Sequence, residues 1–295
     1  MLQWGIERDG YGSERVVLMR RNNRRPGYSG ICTHITHSFN FKSCAGVMKV
    51  LSITNQKISG FAPVWAPFKG FSILFDNPYV DASNGSEREL YQTLWNTLSG
   101  YKETLTNTFL FCPLPLDSYH VTLCDGLNDS NLVSVDSDVR RMVEDMFSNM
   151  PESLEKGNSL YDMLHLDMDG ALEFRFDRLV KWGNSVLVAR ITPIDRSTSE
   201  KLAEIVARRK QVINRFFEQF GVRIAGDEYS PHISLGYFAN REYAELSSFC
   251  VSELDDQFRR DISGKSIRFT SCGLYGFQDM ARFIRHIEPT DSYRQ

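Results

Sequence analysis

Two short stretches of sequence organise the rest of this chain: YHVTL at residues 119–123 and PHISLGY at residues 231–237. Both contain a histidine, an apolar residue and a hydroxyl residue in that order. Side chains alternate between the two faces of a β-strand, so His120 and Thr122 are expected on one face. His232 and Ser234 share a face by the same rule. Each strand is therefore expected to bury its apolar residues and to present an imidazole and a hydroxyl on its other side.

Paired imidazoles suit acid–base chemistry, because one ring accepts a proton while the other donates one. The neighbouring hydroxyls are able to donate to an anionic oxygen. A histidine on a half-buried strand is nevertheless more often a hydrogen-bonded structural residue than a catalyst. The choice between these two interpretations depends on whether the surrounding sequence is repeated.

The order strand, capped helix, strand occurs before each histidine. The first strands read GFSILF at 70–75 and SVLVARI at 185–191. Capping boxes, SERE at 86–89 and STSE at 197–200, begin two amphipathic helices, which end near Gly100 and Gly221. The spacings from Phe71 to His120 and from Val186 to His232 are nearly equal. We therefore predict a duplicated unit whose copies pack about a pseudo-dyad, with the two histidines in one site.

The composition is that of an ordinary globular protein: 295 residues, 42% of them hydrophobic and 24% charged. A net charge of -3 argues against a protein that coats nucleic acid by bulk electrostatics. The chain has no apolar run long enough for a membrane span, and its first residues lack the order of a signal peptide. We expect a cytoplasmic protein with no membrane partner. Its six cysteines include no CxxC pair, which favours thiols over disulfides.

The mixture of strands and amphipathic helices predicts an α+β protein with helices packed outside a concave sheet. Further strands are expected at 108–111, 172–176, 266–270 and 281–285, and further helices at 138–150 and 241–254. The expected domains are an N-terminal extension, 1–56, and a main domain, 57–295. The main domain divides into lobe one at about 57–130, an insertion at about 128–169 and lobe two at about 170–295.

The N-terminal extension contains two clusters with more than one interpretation. The arginines at positions 20, 21, 24 and 25 suit a solvated loop and also a contact with phosphate. Cys32, His34, His37 and Cys44 carry zinc-ligating groups, but their spacing fits no common zinc pattern, so we predict no metal site.

At the two His-x-Ser/Thr motifs the chain resembles the 2H phosphoesterase superfamily, which is named for that pair. The string SYHVTLCDG at 118–126 and the lead-in GFSI at 70–73 are similar to a branch labelled as a domain of unknown function. The resemblance covers roughly residues 57–286. Members are bilobal α+β proteins that act without metal on 2′,3′-cyclic phosphates, 2′–5′ linkages, cyclic oligonucleotides or RNA ends.

This resemblance implies a bilobal fold of two pseudo-symmetric strand-helix-strand lobes around a central cleft. It implies that His120 and His232 are the acid–base pair and that Thr122 and Ser234 bind phosphate oxygens. The implied activity is a metal-independent phosphodiesterase acting on a nucleotide or an RNA end, with no cofactor. The segment between the motifs is longer than in compact members, so substrate preference is not carried over.

Substrate contacts beyond the motifs are predicted from strand parity. Phe238 and Gly236 are expected on the same face of the strand as His232. Phe238 is then predicted to stack on a base, and Gly236 to leave the floor of the cleft open. Tyr119 and Tyr237 have the parity of the buried residues and are expected in the core. The arginines on strands that suit either phosphate contact or a solvated role are Arg175, Arg268 and Arg282.

Two other classes of function remain open at this point. A non-catalytic module on the same fold would hold a nucleotide or RNA end, although such a module is able to lose a histidine without losing its function. A scaffold protein with a zinc-bound N-terminal segment is the other class, and stoichiometric zinc would support it.

Overall fold

The computed structural model describes residues 2–8, 14–20, 52–60, 64–76, 85–155, 157, 159–166, 168–183 and 185–285. The chain forms two compact units, Met1–Leu51 and Ser52–Gln295. In the first, strands β1 (Leu2–Arg8) and β2 (Glu14–Arg20) pair antiparallel. The arginines at 21–25 and the four residues weighed as zinc ligands lie outside the described residues.

The second unit mixes strands and helices, as expected for an α+β protein. Its strands are β3 (Ile58–Ser59), β4 (Val64–Trp65), β5 (Gly70–Phe75), β6 (Phe111–Pro113), β7 (Thr122–Asn128), β8 (Leu172–Trp182), β9 (Val186–Pro193), β10 (His232–Phe238), β11 (Ser266–Phe269), β12 (Cys272–Asp279) and β13 (Arg282–Ile284). Its α-helices are α1 (Gly85–Ser99), α2 (Lys102–Phe109), α3 (Asp129–Leu132), α4 (Ser137–Ser148), α5 (Ser159–Leu164), α6 (Arg196–Phe220), α7 (Arg241–Leu246) and α8 (Ser248–Asp261). Short 3₁₀ turns lie at Leu116–Ser118 and Glu152–Leu154.

The strands of this unit form two main antiparallel sheets. One has five strands in the order β11-β8-β9-β10-β6, and the other has four in the order β13-β12-β5-β7. The sheets meet at an isolated antiparallel bridge between Val121 and Ile233. Facing residues of such a bridge share a side, so their sequence neighbours lie on the opposite side. The bridge therefore brings both His-x-Ser/Thr motifs together on one side of the junction.

The alternation predicted for the two motif strands is confirmed. Tyr119, Val121, Leu123, Ile233 and Leu235 are completely buried. The imidazoles and hydroxyls between them remain partly exposed. Burial of the apolar face, which is the main favourable term in folding, thus fixes the orientation of the polar face.

The predicted helix ends are confirmed, but the predicted starts are displaced. Helix α1 ends at Ser99, and α6 ends at Phe220 and is followed by Gly221, which has the positive φ of 70° that favours glycine. Helix α6 is capped by Asp195, whose carboxylate accepts from the Thr198 amide at 2.7 Å, rather than by Ser197. Asp and Ser are about equally favourable at the N-cap, so Asp195 and Ser197 were both possible caps, and the earlier one caps the helix.

Two predicted elements differ from the structure, and one strand was not predicted. Residues 108–109 end helix α2, and the strand expected there begins only at Phe111. The helix expected at 241–254 is two helices, α7 and α8, that meet at Ser247. Strand β12 was not predicted, yet it is central to its sheet, between β13 and β5.

Candidate active site

A cavity of about 430 Å³ in the second unit contains all four motif residues. Its volume is in the range of ordinary small-ligand sites. The residues that line it include Lys57, Phe68, His120, Thr122, Asp125, Trp182, Arg209, Tyr229, His232, Ser234, Tyr237 and Phe283.

The His120 ring is fixed by its own chain and by one aromatic neighbour. Its Nδ1 lies 2.7 Å from the Ser118 carbonyl oxygen. Its ring centroid lies 4.1 Å from that of Phe283. Because a carbonyl only accepts, Nδ1 carries the proton and donates it, which leaves Nε2 with its lone pair in the neutral ring.

The His232 ring is held in the same way by different residues. Its Nδ1 lies 3.0 Å from the Ser230 carbonyl oxygen, two residues earlier in the chain. Its ring centroid lies 4.1 Å from that of Trp182. Both histidines therefore have the same tautomer and the same kind of support, although His232 begins β10 and His120 lies two residues before β7, outside the strand predicted for it.

Burial lowers the pKa of both histidines, because it disfavours the charged imidazolium. The pKa of His120 falls to about 4, because burial and, to a smaller extent, the charges of His232 and Lys57 outweigh the raising effect of the Ser118 carbonyl. Burial also lowers the pKa of His232, whereas the Ser230 carbonyl and the Asp125 carboxylate raise it. The local charges thus make His232 the easier of the two to protonate.

Asp125 follows the first motif on β7, opposite Ser72 of β5. The walls of the cleft raise the pKa of its carboxyl, and the charges of Lys57, His232 and Arg209 oppose that shift. In its ionised form Asp125 acts on three groups, Lys57, His232 and Arg209, that are cationic or able to become so. Strand parity alone did not single out this residue, since it comes after a register shift between β5 and β7.

Arg209 of helix α6 is a buried cation that supports the first motif. Only 4% of the residue is exposed. Its Nε donates to the Leu123 carbonyl at 2.7 Å, and its Nη1 donates to the Gly226 carbonyl at 2.8 Å. The Tyr229 hydroxyl donates to the Thr122 carbonyl at 3.0 Å, with the Arg209 guanidinium 5.4 Å from the Tyr229 ring centre. Arg209 and Tyr229 thus hold the strand that carries Thr122.

The parity predicted for the end of β10 is wrong. A register shift between Ser234 and Gly236 reverses the alternation, as a β-bulge does. Phe238 is consequently buried, with its ring centroid 4.9 Å from that of Phe111, and Tyr237 lines the cavity instead. A Cβ at Gly236 would collide with the Phe111 ring and lie 2.5 Å from the Cys112 carbonyl oxygen. Gly236 therefore permits the close approach of β6 and does not open the cleft floor.

The arginines predicted from strand positions lie away from the cavity. Arg268 is exposed on β11, opposite Glu173, and three strand spacings separate β11 from β10. At about 4.8 Å a strand, that places it roughly 14 Å from the His232 strand. Arg175 lines a different surface depression, and Arg282 is exposed on β13. None of these three arginines is among the described residues that line the cavity.

Several lining residues were not predicted from the sequence. Arg209 was detectable in principle, because it lies on the apolar face of α6 with Ile205, Val212 and Phe216, where a charged side chain is exceptional. No local sequence pattern marks Lys57, Trp182 or Phe283 as site residues, because contacts with residues distant in the sequence bring them to the cavity.

Comparisons with known proteins gave only distant likenesses. No protein-family model matches the chain, and no curated protein matches it. Similar solved structures include the conserved protein of unknown function ATU0111 from Agrobacterium tumefaciens str. C58, at 16% identity and a TM-score of 0.46, over 78% of this chain and 89% of that one. Two structures of Kluyveromyces marxianus Usb1, one with uridine monophosphate, share 10% and 11% identity with a TM-score of 0.33, over 74% of this chain and 97% of theirs. With TM-scores below 0.5, these likenesses assign neither a family nor an activity.

Within the described ranges, no helix has both the length and the apolar character needed to cross a membrane. The same part of the chain contains no group of three or more His, Cys, Asp or Glu side chains placed to hold a metal ion. Cys112, Cys124, Cys250 and Cys272 carry thiols.

Proposed function

We propose that this protein is a metal-independent phosphodiesterase that acts on a 2′,3′-cyclic phosphate, a 2′–5′ linkage, a cyclic nucleotide or an RNA end. The observation that carries the proposal is the matched pair of histidines in one cavity, each with the same tautomer and each followed by a hydroxyl residue. A chance pair of structural histidines has no reason to share these features. The equivalent environments also support the two-lobed, pseudo-symmetric arrangement that the sequence predicts.

The proposed reaction needs one base and one acid on opposite sides of a phosphorus atom. Nε2 of His120 takes the proton of the attacking water or ribose hydroxyl as the new P–O bond forms. Protonated His232 gives its proton to the departing oxygen as the old P–O bond breaks. This assignment follows from the charges, because Asp125 favours the protonated form of His232, whereas Lys57 disfavours that of His120.

Thr122 and Ser234 have the proposed role of donating hydrogen bonds to the non-bridging oxygens. Their hydroxyls line the same cavity as the imidazoles. Donors held in advance where charge develops stabilise the transition state without reorganising. Four side chains thus supply the acid, the base and the oxygen donors, so the proposed chemistry requires no metal ion.

The test of the proposed function is turnover of a substrate panel in the presence of a chelator. The panel contains 2′,3′-cyclic mononucleotides, 3′,5′-cyclic and 2′–5′-linked species, cyclic dinucleotides and RNA ending in a cyclic phosphate. We expect the wild type to cleave one class and the double variant His120→Ala/His232→Ala to cleave none. If neither protein cleaves anything but both bind a nucleotide equally, the chain is a binding module. Loss of activity in chelator that zinc restores would overturn the metal-free mechanism.

The pH dependence of kcat/KM is expected to be bell-shaped with an acidic optimum. The base is neutral above its pKa of about 4, and the acid is protonated only below a pKa that lies under 6.5. Asp125→Asn removes a charge that raises the pKa of His232, so the alkaline limb moves to lower pH by about one unit or less. Asp256→Asn, an exposed change on α8, serves as the control. An alkaline limb that stays in place in Asp125→Asn contradicts the assignment of His232 as the acid.

A further inference from the structure

Lys57 is a cation held in a fixed position at the edge of the cavity. Its Nζ donates to the Tyr237 hydroxyl at 3.1 Å. The same atom lies 4.5 Å from the centre of the Tyr237 ring and 5.1 Å from that of Phe68. The backbone amide of Lys57 donates to the Asn55 side chain, which in turn donates to the Phe238 carbonyl. Two rings and one hydrogen bond thus hold this ammonium group in place, while two further hydrogen bonds fix the backbone that carries it.

Among the described residues no carboxylate lies within ion-pair distance of Lys57 Nζ, although the charge of Asp125, across the first cavity, acts on it from farther away. An ammonium group has three N–H donors, and the Tyr237 hydroxyl accepts from one of them. A half-buried cation with two further donors is a suitable partner for an anion such as a phosphate.

A second cavity, of about 310 Å³, adjoins the first and shares Lys57 and Phe68 with it. Its other walls are mainly amides and hydroxyls, including Asn55, Ser130 and Ser185. Arg241 also lines it and pairs with Glu245 on its own helix, at 2.7 Å. No Asp or Glu side chain is among the described residues that line this second cavity. The surface is therefore polar and without negative charge, which suits a ribose, a base edge or a phosphate.

We infer that the second cavity binds the nucleotide next to the reacting one, and that Lys57 binds the phosphate that joins them. The inference rests on the proposed function. With the reacting phosphate at the two histidines, the next phosphate of a nucleic acid strand lies one nucleoside away. Lys57 occupies the border between the two cavities, over the buried Phe68 ring that stacks on Phe277. The substrate is then an oligonucleotide end of at least two nucleotides rather than a cyclic mononucleotide.

The test compares a dinucleotide that ends in a 2′,3′-cyclic phosphate with the matching 2′,3′-cyclic mononucleotide. In the wild type, kcat/KM is expected to be higher for the dinucleotide. In Lys57→Met, which keeps the aliphatic stem, the ratio of the two kcat/KM values is expected to fall about tenfold, the effect of one charge-assisted contact. Lys57→Arg is expected to restore most of the ratio. The matched control is Lys69→Met, which removes an exposed lysine that lines neither cavity.

An equal loss for both substrates in Lys57→Met would overturn the inference, because Lys57 would then act on the reacting nucleotide alone. Calorimetric binding of a dinucleotide 3′-phosphate and of a nucleoside 3′-phosphate separates this inference from the proposed function. If the wild type cleaves neither substrate, the proposed action on 2′,3′-cyclic phosphates fails, and the binding comparison still decides the inference. Tighter binding of the dinucleotide that disappears in Lys57→Met supports the second cavity as a nucleotide site, and equal binding of both ligands excludes it.

Discussion

His120→Ala and His232→Ala are each expected to reduce kcat by about 10²–10⁴-fold, and the double variant is expected to lose little more. The reason is that acid and base act in one step. Once either proton transfer is lost, the reaction follows a slower route that no longer uses the remaining histidine. Each ring also keeps its tautomer through its own carbonyl, so removal of one should not misplace the other.

The measurement is single-turnover kinetics of the four proteins on the best substrate of the panel. His165→Ala is the matched control, because His165 packs on Tyr161 and does not line the cavity. We expect it to keep wild-type kcat. Multiplicative losses in the double variant would show that the histidines contribute independently, and the paired acid–base assignment would then be wrong.

Arg209→Met is expected to lower both the stability and the activity of the protein. The substitution leaves the carbonyls of Leu123 and Gly226 without their charged donor in a buried setting. Buried groups left in this way cost about 2–4 kcal/mol in total, which lowers Tm by several degrees in a protein of this size. Activity is expected to fall as well, because Leu123 adjoins Thr122 on the strand that Arg209 supports.

Thermal unfolding and kcat/KM measured on the same samples test this prediction. The adjacent Arg208 provides the control, since it forms a surface ion pair with Asp169, at 2.9 Å. Such pairs contribute about 0–1 kcal/mol, so Arg208→Met should unfold close to the wild type. If Arg209→Met unfolds at the same temperature as Arg208→Met, the guanidinium is not a structural support of the site.

The motif strands were predictable because their alternation is local. One face of each strand must be buried, and a period of two residues leaves only one choice for the other face. The ends of α1 and α6 were predictable for a similar reason, since glycine follows each helix directly. In both cases a few adjacent residues carry the whole signal.

Strand β12 was not predictable by that reasoning, because its sequence, CGLYGFQD, contains two glycines. Glycine is depleted in strands and weakens the pattern. The structure gives a reason for one of them: a Cβ at Gly276 would collide with the Met150 sulfur. The glycine therefore meets a packing requirement from a segment more than a hundred residues earlier, and no local rule contains that information.

The candidate site was predictable only in part, for the same reason. The four motif residues share one cavity, as their parity required. The bulge after Ser234 turns Tyr237 toward the cavity and Phe238 into the core, the reverse of the prediction. A bulge of this kind has no clear sequence pattern. Lys57 reaches the cavity from a segment without a recognisable pattern, through contacts with Phe68 and Tyr237.

Each imidazole takes its orientation from a carbonyl two residues earlier in its own stretch of chain. Each imidazole and the group that sets its tautomer are therefore encoded within a few codons. Copying such a segment would carry an oriented imidazole in one event, without any change elsewhere in the gene. The aromatic neighbours Phe283 and Trp182 come from outside these segments and differ between the two halves.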